Sequence, residues 1–518
     1  MEEGQESFTS LNFKEAEIVE EIILFKEQEK DVLSTLFEKE VPSEERYDLG
    51  QYFTHKEIVN FIVDSIPIKR EDKILDPTCG AGAFLKNILS KNKINPENIY
   101  GVDIDKRALK LCKENISHKS KNMFLGDFIN EDLFKENYFD VIIGNPPFKN
   151  LKFNNKDFPL GHKYYQEITS GSTNFASLVL SKSYFLLKDG GYLGLVLPKN
   201  FIRVDSFKKI REFIINNMKI ILIKDLDHHF KDVRCDQIIL IAQKKKTDLT
   251  NKVNIIPYKK GCSFLNNLEY TLTQKEFLRY SFFPLFYNEN VKLVADKLFS
   301  IKQTLSNEAN IFRGESLISL KKYISDKQTR KDLFLLRGNC IKRFGIKNRL
   351  FLNKEFSKEL LNGRSKTIFQ NKIVIQNLAS KEGGIFSAIS DEHELTLDTV
   401  TNIIPNNKDY ILFLTGLLSS RLCNFFMIHL TYLNSNFSMH TDKAYIGKLP
   451  IIYPDRTIKE KIDLLVSSLL SIEDKYSSNF KEEYAQLNNI LYRLYGLNKK
   501  EVLIIENSLK EVMSKKHG

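Results

Sequence analysis

Asp76-Pro77-Thr78-Cys79-Gly80-Ala81-Gly82-Ala83-Phe84 is the stretch that decides how this chain folds. It follows a short apolar strand, Ile74-Leu75, and runs into a helical segment, Phe84-Leu85-Lys86-Asn87-Ile88-Leu89. Glycines at a strand-to-helix turn let the backbone approach a ligand closely. The full G-x-G-x-x-G spacing is missing, so the loop alone is a weak signal. Its surroundings strengthen it. A second strand, Ile99-Tyr100-Gly101-Val102-Asp103-Ile104-Asp105, ends in carboxylates, and an acid at that point is placed to accept ribose hydroxyls. A third segment, Phe124-Leu125-Gly126-Asp127-Phe128, offers one more carboxylate and a ring. Strands alternating with helices at this spacing predict an α/β domain with a mostly parallel, Rossmann-like sheet.

The next apolar run, Phe139-Asp140-Val141-Ile142-Ile143-Gly144, reads as a buried strand and ends in Asn145-Pro146-Pro147-Phe148. The two prolines fix the backbone and cannot donate to a helix. The Asn145 side-chain oxygen and the Pro146 carbonyl can each accept one N–H, and the Phe148 ring can stack. That set suits a planar substrate carrying an NH2 group. A plain Pro-rich turn would carry the same residues, and the upstream acidic strands weigh against it.

Taken together, these motifs resemble the class I S-adenosylmethionine-dependent methyltransferases. More narrowly they resemble the gamma-class amino-methyltransferases of bacterial type II restriction–modification systems, which make N6-methyladenine in DNA. The family's Gln-Tyr-Phe-Thr-Pro element reads Gln51-Tyr52-Phe53-Thr54-His55 here, with histidine replacing proline. Thr54 and Glu57 also form a capping-box pattern for a helix over Lys56–Ile66. The resemblance implies S-adenosylmethionine as cofactor, lying across the carboxyl ends of the strands. It places Thr54, Asp76, Gly80 and Gly82 near the methionine end, Asp103 at the ribose, and Asp127 and Phe128 at the adenine, with Tyr52, Pro77 and Ile104 also bordering the cofactor. Asn145, Pro146, Pro147 and Phe148 become the catalytic loop, with Asn145 also bordering the cofactor. Phe207, in Leu197-Pro198-Lys199-Asn200-Phe201-Ile202-Arg203-Val204-Asp205-Ser206-Phe207, matches the aromatic that packs on a flipped base, although a core phenylalanine would look the same.

Beyond Lys244-Lys245-Lys246-Thr247 the strand–helix rhythm is lost. Four segments are expected: a helical extension over 1–45, with one amphipathic helix in 11–40; a catalytic domain over 46–247; a mixed α+β target-recognition domain over 248–450; and a helical tail over 451–518. The catalytic sheet should close with a terminal antiparallel hairpin formed by Ile220–Ile223 and Gln237–Ile241. Residues 149–174 are polar and aromatic without periodicity and read as a gate over the target base. Basic turns in the third segment, at Arg313, Arg337, Lys342, Arg343 and Arg364, are the candidates for contact with double-stranded DNA.

A net charge of +11 agrees with a polyanionic partner, though a Lys-rich composition alone would give it. The six cysteines are far apart with no C-x-x-C pair, which points to a reduced cytoplasmic protein without a metal site. No run reaches membrane-spanning length and no signal peptide is expected. A separate cognate restriction endonuclease stands as a candidate partner. Three rivals bear on the reading. Asn-Pro-Pro-aromatic also serves glutamine side-chain methylation, so a protein or RNA N-methyltransferase is the alternative, and the large C-terminal region argues against it. A fused nuclease has only Pro454-Asp455 with Glu473-Asp474-Lys475 to support it, in a helical stretch too short for a nuclease domain. A non-catalytic DNA-binding subunit is opposed by the intact Asn145, Asp76 and Asp103.

Overall fold

The computed structural model describes residues 54–91, 94–152, 163–165, 168, 172–227, 236–258, 269–280, 282–325, 333–361, 365–435 and 438–513. The chain forms two compact units, Met1–Pro284 and Leu285–Gly518. The expected helix within 11–40 lies outside the described residues, as do Tyr52 and Arg364.

The first unit is built on a nine-stranded sheet. Its elements run α1 (Lys56–Asp64), β1 (Ile74–Asp76), α2 (Ala83–Ser90), β2 (Ile99–Asp103), α3 (Lys106–Asn115), β3 (Asn122–Leu125), β4 (Phe139–Gly144), β5 (Asn150–Lys152), β6 (Ser172–Asn174), α4 (Phe175–Leu186), β7 (Leu187–Pro198), α5 (Lys208–Asn217), β8 (Lys219–Asp227), β9 (Gln237–Gln243), β10 (Lys252–Ile256) and β11 (Tyr270–Thr273). The strand order is β11-β10-β8-β9-β7-β4-β1-β2-β3. Strands β1, β2, β3, β4 and β7 pair in parallel, so their carboxyl ends share one edge. Strand β9 runs antiparallel between β7 and β8, which makes β8 parallel to β7 and brings its carboxyl end to the same edge. Ile74, Leu75, Ile142, Ile143, Leu195 and Ile239 are fully buried, as strands covered on both faces require. Helix α1 buries Ile58, Val59, Ile62 and Val63, a single stripe at helical spacing.

The sheet continues past Thr247, where the sequence suggests a boundary. Strand β10 pairs in parallel with β8, and β11 pairs antiparallel with β10. The lysine run is a solvated turn at the sheet's end: Gly190 N–H donates to the Lys244 carbonyl, and Lys244 N–H to that of Gly191. A charge run therefore marks a sheet rim here, and the compact unit ends at Pro284. The residues after the Asn-Pro-Pro-Phe loop begin and end as an antiparallel pair, β5 with β6. Most of the expected gate between them lies outside the described residues. Its described part is anchored, with the Tyr165 hydroxyl donating to the Ile129 carbonyl at 2.9 Å.

The second unit carries two small four-stranded sheets. One has the order β12 (Ala309–Arg313), β22 (Val400–Pro405), β18 (Lys372–Gln376), β20 (Ser387–Ser390). The other has β13 (Ile324–Ser325), β17 (Leu350–Leu352), β14 (Phe334–Leu336), β21 (Glu394–Thr396). A hairpin of two-residue strands, β15 (Ile341–Lys342) with β16 (Gly345–Ile346), lies between β14 and β17 in sequence and packs on the first sheet, where Ile341 meets Val374, Ala388 and Val400; β19 (Leu378–Ala379) follows β18. The longer helices are α6 (Glu289–Ser300), α7 (Ile411–Ser419), α8 (Arg456–Ser471), α9 (Ser478–Leu494) and α10 (Lys499–Met513); α7 packs on the first of these sheets, α8 packs on α7 and α9, and α6 packs on α10. Gly416 lets α7 approach α8 and α9, since a Cβ there would meet Val466 Cγ2 at 2.7 Å. The nuclease-like Asp455 is the N-cap of α8, accepting from Ile458 N–H, and Asp474 accepts from Tyr476 N–H in the next turn. No single described helix is long and apolar enough to cross a membrane.

Candidate active site

Four strand ends assemble the site in the first unit. Strand β1 ends in Asp76, β2 in Asp103, β4 in Gly144 just before Asn145, and β7 in Pro198 just before Lys199. Asp76 and Asp103 are 1% and 8% exposed, so two carboxyl groups are taken from water side by side at one sheet edge. Burial pushes the Asp76 carboxyl up to about 8; a bond from Thr78 N–H opposes this and the Asp103 charge adds to it. Burial likewise raises Asp103, opposed by the N–H groups of Asp105 and Gly80, which donate to its two oxygens at 2.8 Å each. Both groups are thus costly as bare anions and suited to a ligand that brings positive charge or hydroxyl donors.

The glycines of the loop have different tasks. Gly80 has a φ of +52°, and a Cβ there would meet nothing within 4 Å, so it faces open space beside Asp103. Gly82 has a φ of +82°, and its Cβ would sit 2.6 Å from Cys112 Sγ. Packing of α3, rather than ligand approach, demands that glycine. Gly144 was not singled out in the sequence, yet a Cβ on it would lie 2.7 Å from Asp76 Oδ1. Its lack of a side chain lets the first motif and the Asn-Pro-Pro-Phe loop touch.

Asn145 Nδ2 donates to Thr54 Oγ1 at 3.1 Å. Its Oδ1 is buried and has no hydrogen-bond partner among the described residues, and the same holds for Thr78 Oγ1. Buried polar atoms of this kind are costly unless a partner arrives. Thr54 was expected to cap the following helix. Instead His55 is the N-cap of α1 and makes no side-chain cap bond. The Thr54 hydroxyl is turned toward Asn145, because the asparagine offers it a partner inside the site. Pro146 is buried, Pro147 is half-buried, and Phe148 is half-buried with part of its ring on the sheet core.

The remaining expected residues are placed as follows. Pro77 is buried in the loop, and Ile104 is 63% exposed beside Asp103, an apolar side chain left open to a ligand. Asp127 accepts from Ile129 N–H and from Asn130 and so braces its own turn. Phe128 is 3% exposed with the Lys182 ammonium over its ring, so that face is already occupied. Phe207 is buried against Phe201, with ring centroids 5.7 Å apart. The turn that carries it is held by Arg211, whose guanidinium donates to the carbonyls of Phe201 and Val204 at 2.8 Å each. Burial lowers Arg211 to about 10. Two residues at this edge escaped the sequence reading. Lys199 and Asp225 form a buried ion pair at 2.7 Å that ties the end of β7 to the end of β8. Lys199 stands in a quoted motif, but nothing in sequence marks it as buried.

In the second unit Arg313 and Arg337 are exposed, as is Lys342 on the β15–β16 hairpin. Arg313 Nε donates to the Asp398 carbonyl at 3.1 Å. Arg343 is half-buried, with its guanidinium over the rings of Phe386 and Tyr484.

Residues 28–332 match the family model described as N-6 DNA Methylase, and residues 333–451 match the TaqI-like C-terminal specificity domain. Among curated proteins, Type II methyltransferase M.CvrRI of Paramecium bursaria Chlorella virus XZ-6E is 26% identical over 336 residues, which cover 64% of this chain and 78% of that protein. Type II methyltransferase M.VspI of Vibrio sp. strain 343 is 29% identical over 238 residues, covering 45% of this chain and 57% of that protein. Among solved structures, the Type IIL restriction-modification enzyme MmeI in complex with DNA aligns with a TM-score of 0.61 at 13% identity. That alignment covers 93% of this chain and 81% of the other, and it speaks for the fold. With one family model spanning more than half of its length, the chain belongs to the N-6 DNA methylases and carries a TaqI-like specificity domain.

Proposed function

We propose that this protein transfers a methyl group from S-adenosylmethionine to the N6 amino group of adenine at a specific site in double-stranded DNA. The observation that carries the reading is the Asn145 amide. Its nitrogen is committed to Thr54, while its oxygen is buried and has no partner, at the end of a strand packed against Asp76.

The donor set suits the cofactor. S-Adenosylmethionine supplies the electrophilic methyl group and brings an ammonium, a sulfonium and two ribose hydroxyls. Asp76 and Thr78 would partner the ammonium end, and Asp103 the ribose hydroxyls. Ile104, open beside Asp103, would cover one face of the adenine; Asp127 lies beyond it at the end of β3.

Adenine's amino nitrogen is a weak nucleophile because its lone pair is delocalised into the ring. Asn145 Oδ1 would accept one N–H and the Pro146 carbonyl the other, drawing the nitrogen toward a tetrahedral shape with its lone pair aimed at the methyl carbon. Positioning and electrostatics then supply the rate, and the proton leaves after transfer. An adenine within a duplex must be turned out of the stack, at a cost of roughly a few kcal/mol. Phe148 would offset part of this by stacking. Phe207 joins it only if its turn shifts, because its ring is buried against Phe201. Site selection falls to the specificity domain, where Arg313, Arg337, Lys342 and Arg343 are the described candidates for DNA contact. The matching type II methyltransferases support protective modification alongside a separate endonuclease.

Sequencing of modified bases in DNA from cells expressing the protein tests this. N6-methyladenine should appear at one short motif and vanish with Asn145→Ala. Unmodified DNA combined with methylated glutaminyl peptide or RNA would overturn the assignment.

A further inference from the structure

The second unit holds a cavity of about 1160 Å³ between the β15–β16 hairpin and the helical tail, lined by residues of this unit alone. Six basic side chains line it against two acidic ones. One of the acids is already engaged: Glu506 pairs with Arg421 and accepts from the Tyr492 hydroxyl. Four of the cations, Lys342, Arg343, Lys347 and Lys481, have no hydrogen-bond or ion-pair partner for their side chains among the described residues. A globular surface normally pairs or disperses such charges. Here they converge on one concavity.

Arg343 shows what the concavity is built to hold. Its guanidinium carbon lies 4.4 Å from the Phe386 ring centre and 5.1 Å from that of Tyr484. Cation–π contact with two rings fixes the plane of the group while leaving its five N–H donors unused. A fixed, unpaired fork of this kind matches the oxygens of a phosphate. Lys475 adds a second sign of missing negative charge. Its ammonium donates to the Leu469 carbonyl, and burial followed by repulsion from Lys347 lowers its pKa. The walls are aromatic as well: Phe480 and Tyr484 lie nearly parallel, and Tyr476 is 72% exposed at the rim. A concave, cationic and aromatic site suits a single nucleotide better than it suits the convex backbone of a duplex.

We propose that this cavity binds a nucleotide through its phosphates, with Arg343 as the phosphate-orienting group and Lys347 and Lys481 as flanking charges. The ligand chemistry is shared by a free nucleoside triphosphate and by an unpaired nucleotide of a strand. The proposal goes beyond methyl transfer and holds whether or not the chain modifies DNA.

The test uses the full-length protein with saturating S-adenosylhomocysteine, so that the cofactor site is filled. Calorimetry is run with dTTP, with a thymidine oligonucleotide and with a blunt duplex. Saturable binding of dTTP alone would identify a free nucleotide as the ligand. Binding of the oligonucleotide in preference to dTTP would identify an unpaired strand. In either case Arg343→Gln should weaken binding roughly tenfold or more, the scale of losing a charge-assisted pair. The exposed double variant Lys347→Gln/Lys481→Gln should weaken it too, which keeps the test valid if Arg343→Gln fails to fold. Asn145→Ala should bind normally, so loss of methylation and loss of this site are read separately. The proposal is overturned if neither dTTP nor the oligonucleotide binds, if the variants bind as the parent does, or if only duplex binding depends on these residues.

Discussion

Replacing Thr54 with valine should slow methyl transfer without much effect on cofactor binding. The substitution keeps the volume of the side chain and removes the hydroxyl that accepts from Asn145 Nδ2 at 3.1 Å. An amide is nearly symmetric in shape, so a rotated Asn145 would fit the same space and present N–H donors to the donors of the substrate. In the described structure the bond from Nδ2 to Thr54 Oγ1 holds the amide in the orientation that leaves its oxygen free. Its net worth, as a neutral hydrogen bond, is about 0.5–1.5 kcal/mol. Expressed in the chemical step, that is roughly a 2- to 13-fold loss of rate. Thr54→Ser retains the hydroxyl and should recover most of it. Single-turnover transfer on saturating DNA reads the rate, and calorimetry reads S-adenosylmethionine affinity, which should change by no more than roughly twofold if the bond acts through orientation alone. An unchanged rate in Thr54→Val, or a loss confined to cofactor affinity, would refute the orienting role and leave Thr54 as a cofactor contact.

Three further outcomes follow from buried charge and backbone strain. Because the folded state holds the Asp76 proton up to about 8, against 3.8 for a free carboxyl, the unliganded protein should lose stability as pH rises across that window. Binding of S-adenosylmethionine near pH 7 should therefore release a proton, seen as a calorimetric heat that varies with buffer ionisation enthalpy; Asp76→Asn should abolish that variation, and a buffer-independent heat in the parent would count against a charged Asp76 in the complex. His429 is 1% exposed and burial pushes it down to about 3, so its stabilisation is complete above 6.5 and drains away as pH falls toward 3. Denaturant unfolding should show a slope of up to ~1.4 kcal/mol per pH unit from this residue, flattened by His429→Leu. Gly82→Ala should destabilise the first unit by about 1–3 kcal/mol through its left-handed backbone, beyond the clash with Cys112, so adding Cys112→Ala should restore only part of the lost urea midpoint.

The strand edge that gathers Asp76, Asp103 and Asn145 was legible because its motifs are local in sequence. Asp76, Asp103 and Asn145 each terminate an apolar run, and parallel pairing carries strand ends to one edge. What was not legible depends on contacts between distant residues. Thr54 satisfies a capping pattern on paper, yet a partner 91 positions away takes its hydroxyl. The lysine run at 244–246 looks like a linker, but its backbone closes onto Gly190 and Gly191, and the sheet goes on to β11. Periodicity had shown the β8–β9 hairpin, while the later strands β10 and β11 are too short and too polar to read as the sheet's continuation. The cationic cavity was half visible: Lys342 and Arg343 stood out as a basic turn, but Lys475 and Lys481 belong to the helical tail and only folding brings them near.

The two carboxyl groups at the sheet edge show why such a site is built from expensive parts. Asp76 carries a cost of burial as an anion that an asparagine there would avoid, whereas Asp103 needs both of its oxygens for the N–H groups of Gly80 and Asp105. Their raised proton affinities oppose full charge at this edge, and a cationic ligand is the partner that makes the charged form favourable. Asn145 works in the complementary way. It is neutral, so it adds no electrostatic competition with the cofactor, but its bare oxygen leaves one hydrogen bond unmade until an amino group arrives. On the proposed function, cofactor and base would each relieve a different deficit on adjoining strands, and Gly144 is where the two strands meet: a methyl group there would push Asp76 away from the loop that carries Asn145. Gly144→Ala should therefore impair cofactor affinity and transfer rate together, whereas Thr54→Val should impair the rate alone. Measuring both variants by the same calorimetric and single-turnover assays separates a shared wall from an orienting bond, and equal patterns in the two would show that the deficits are not independent.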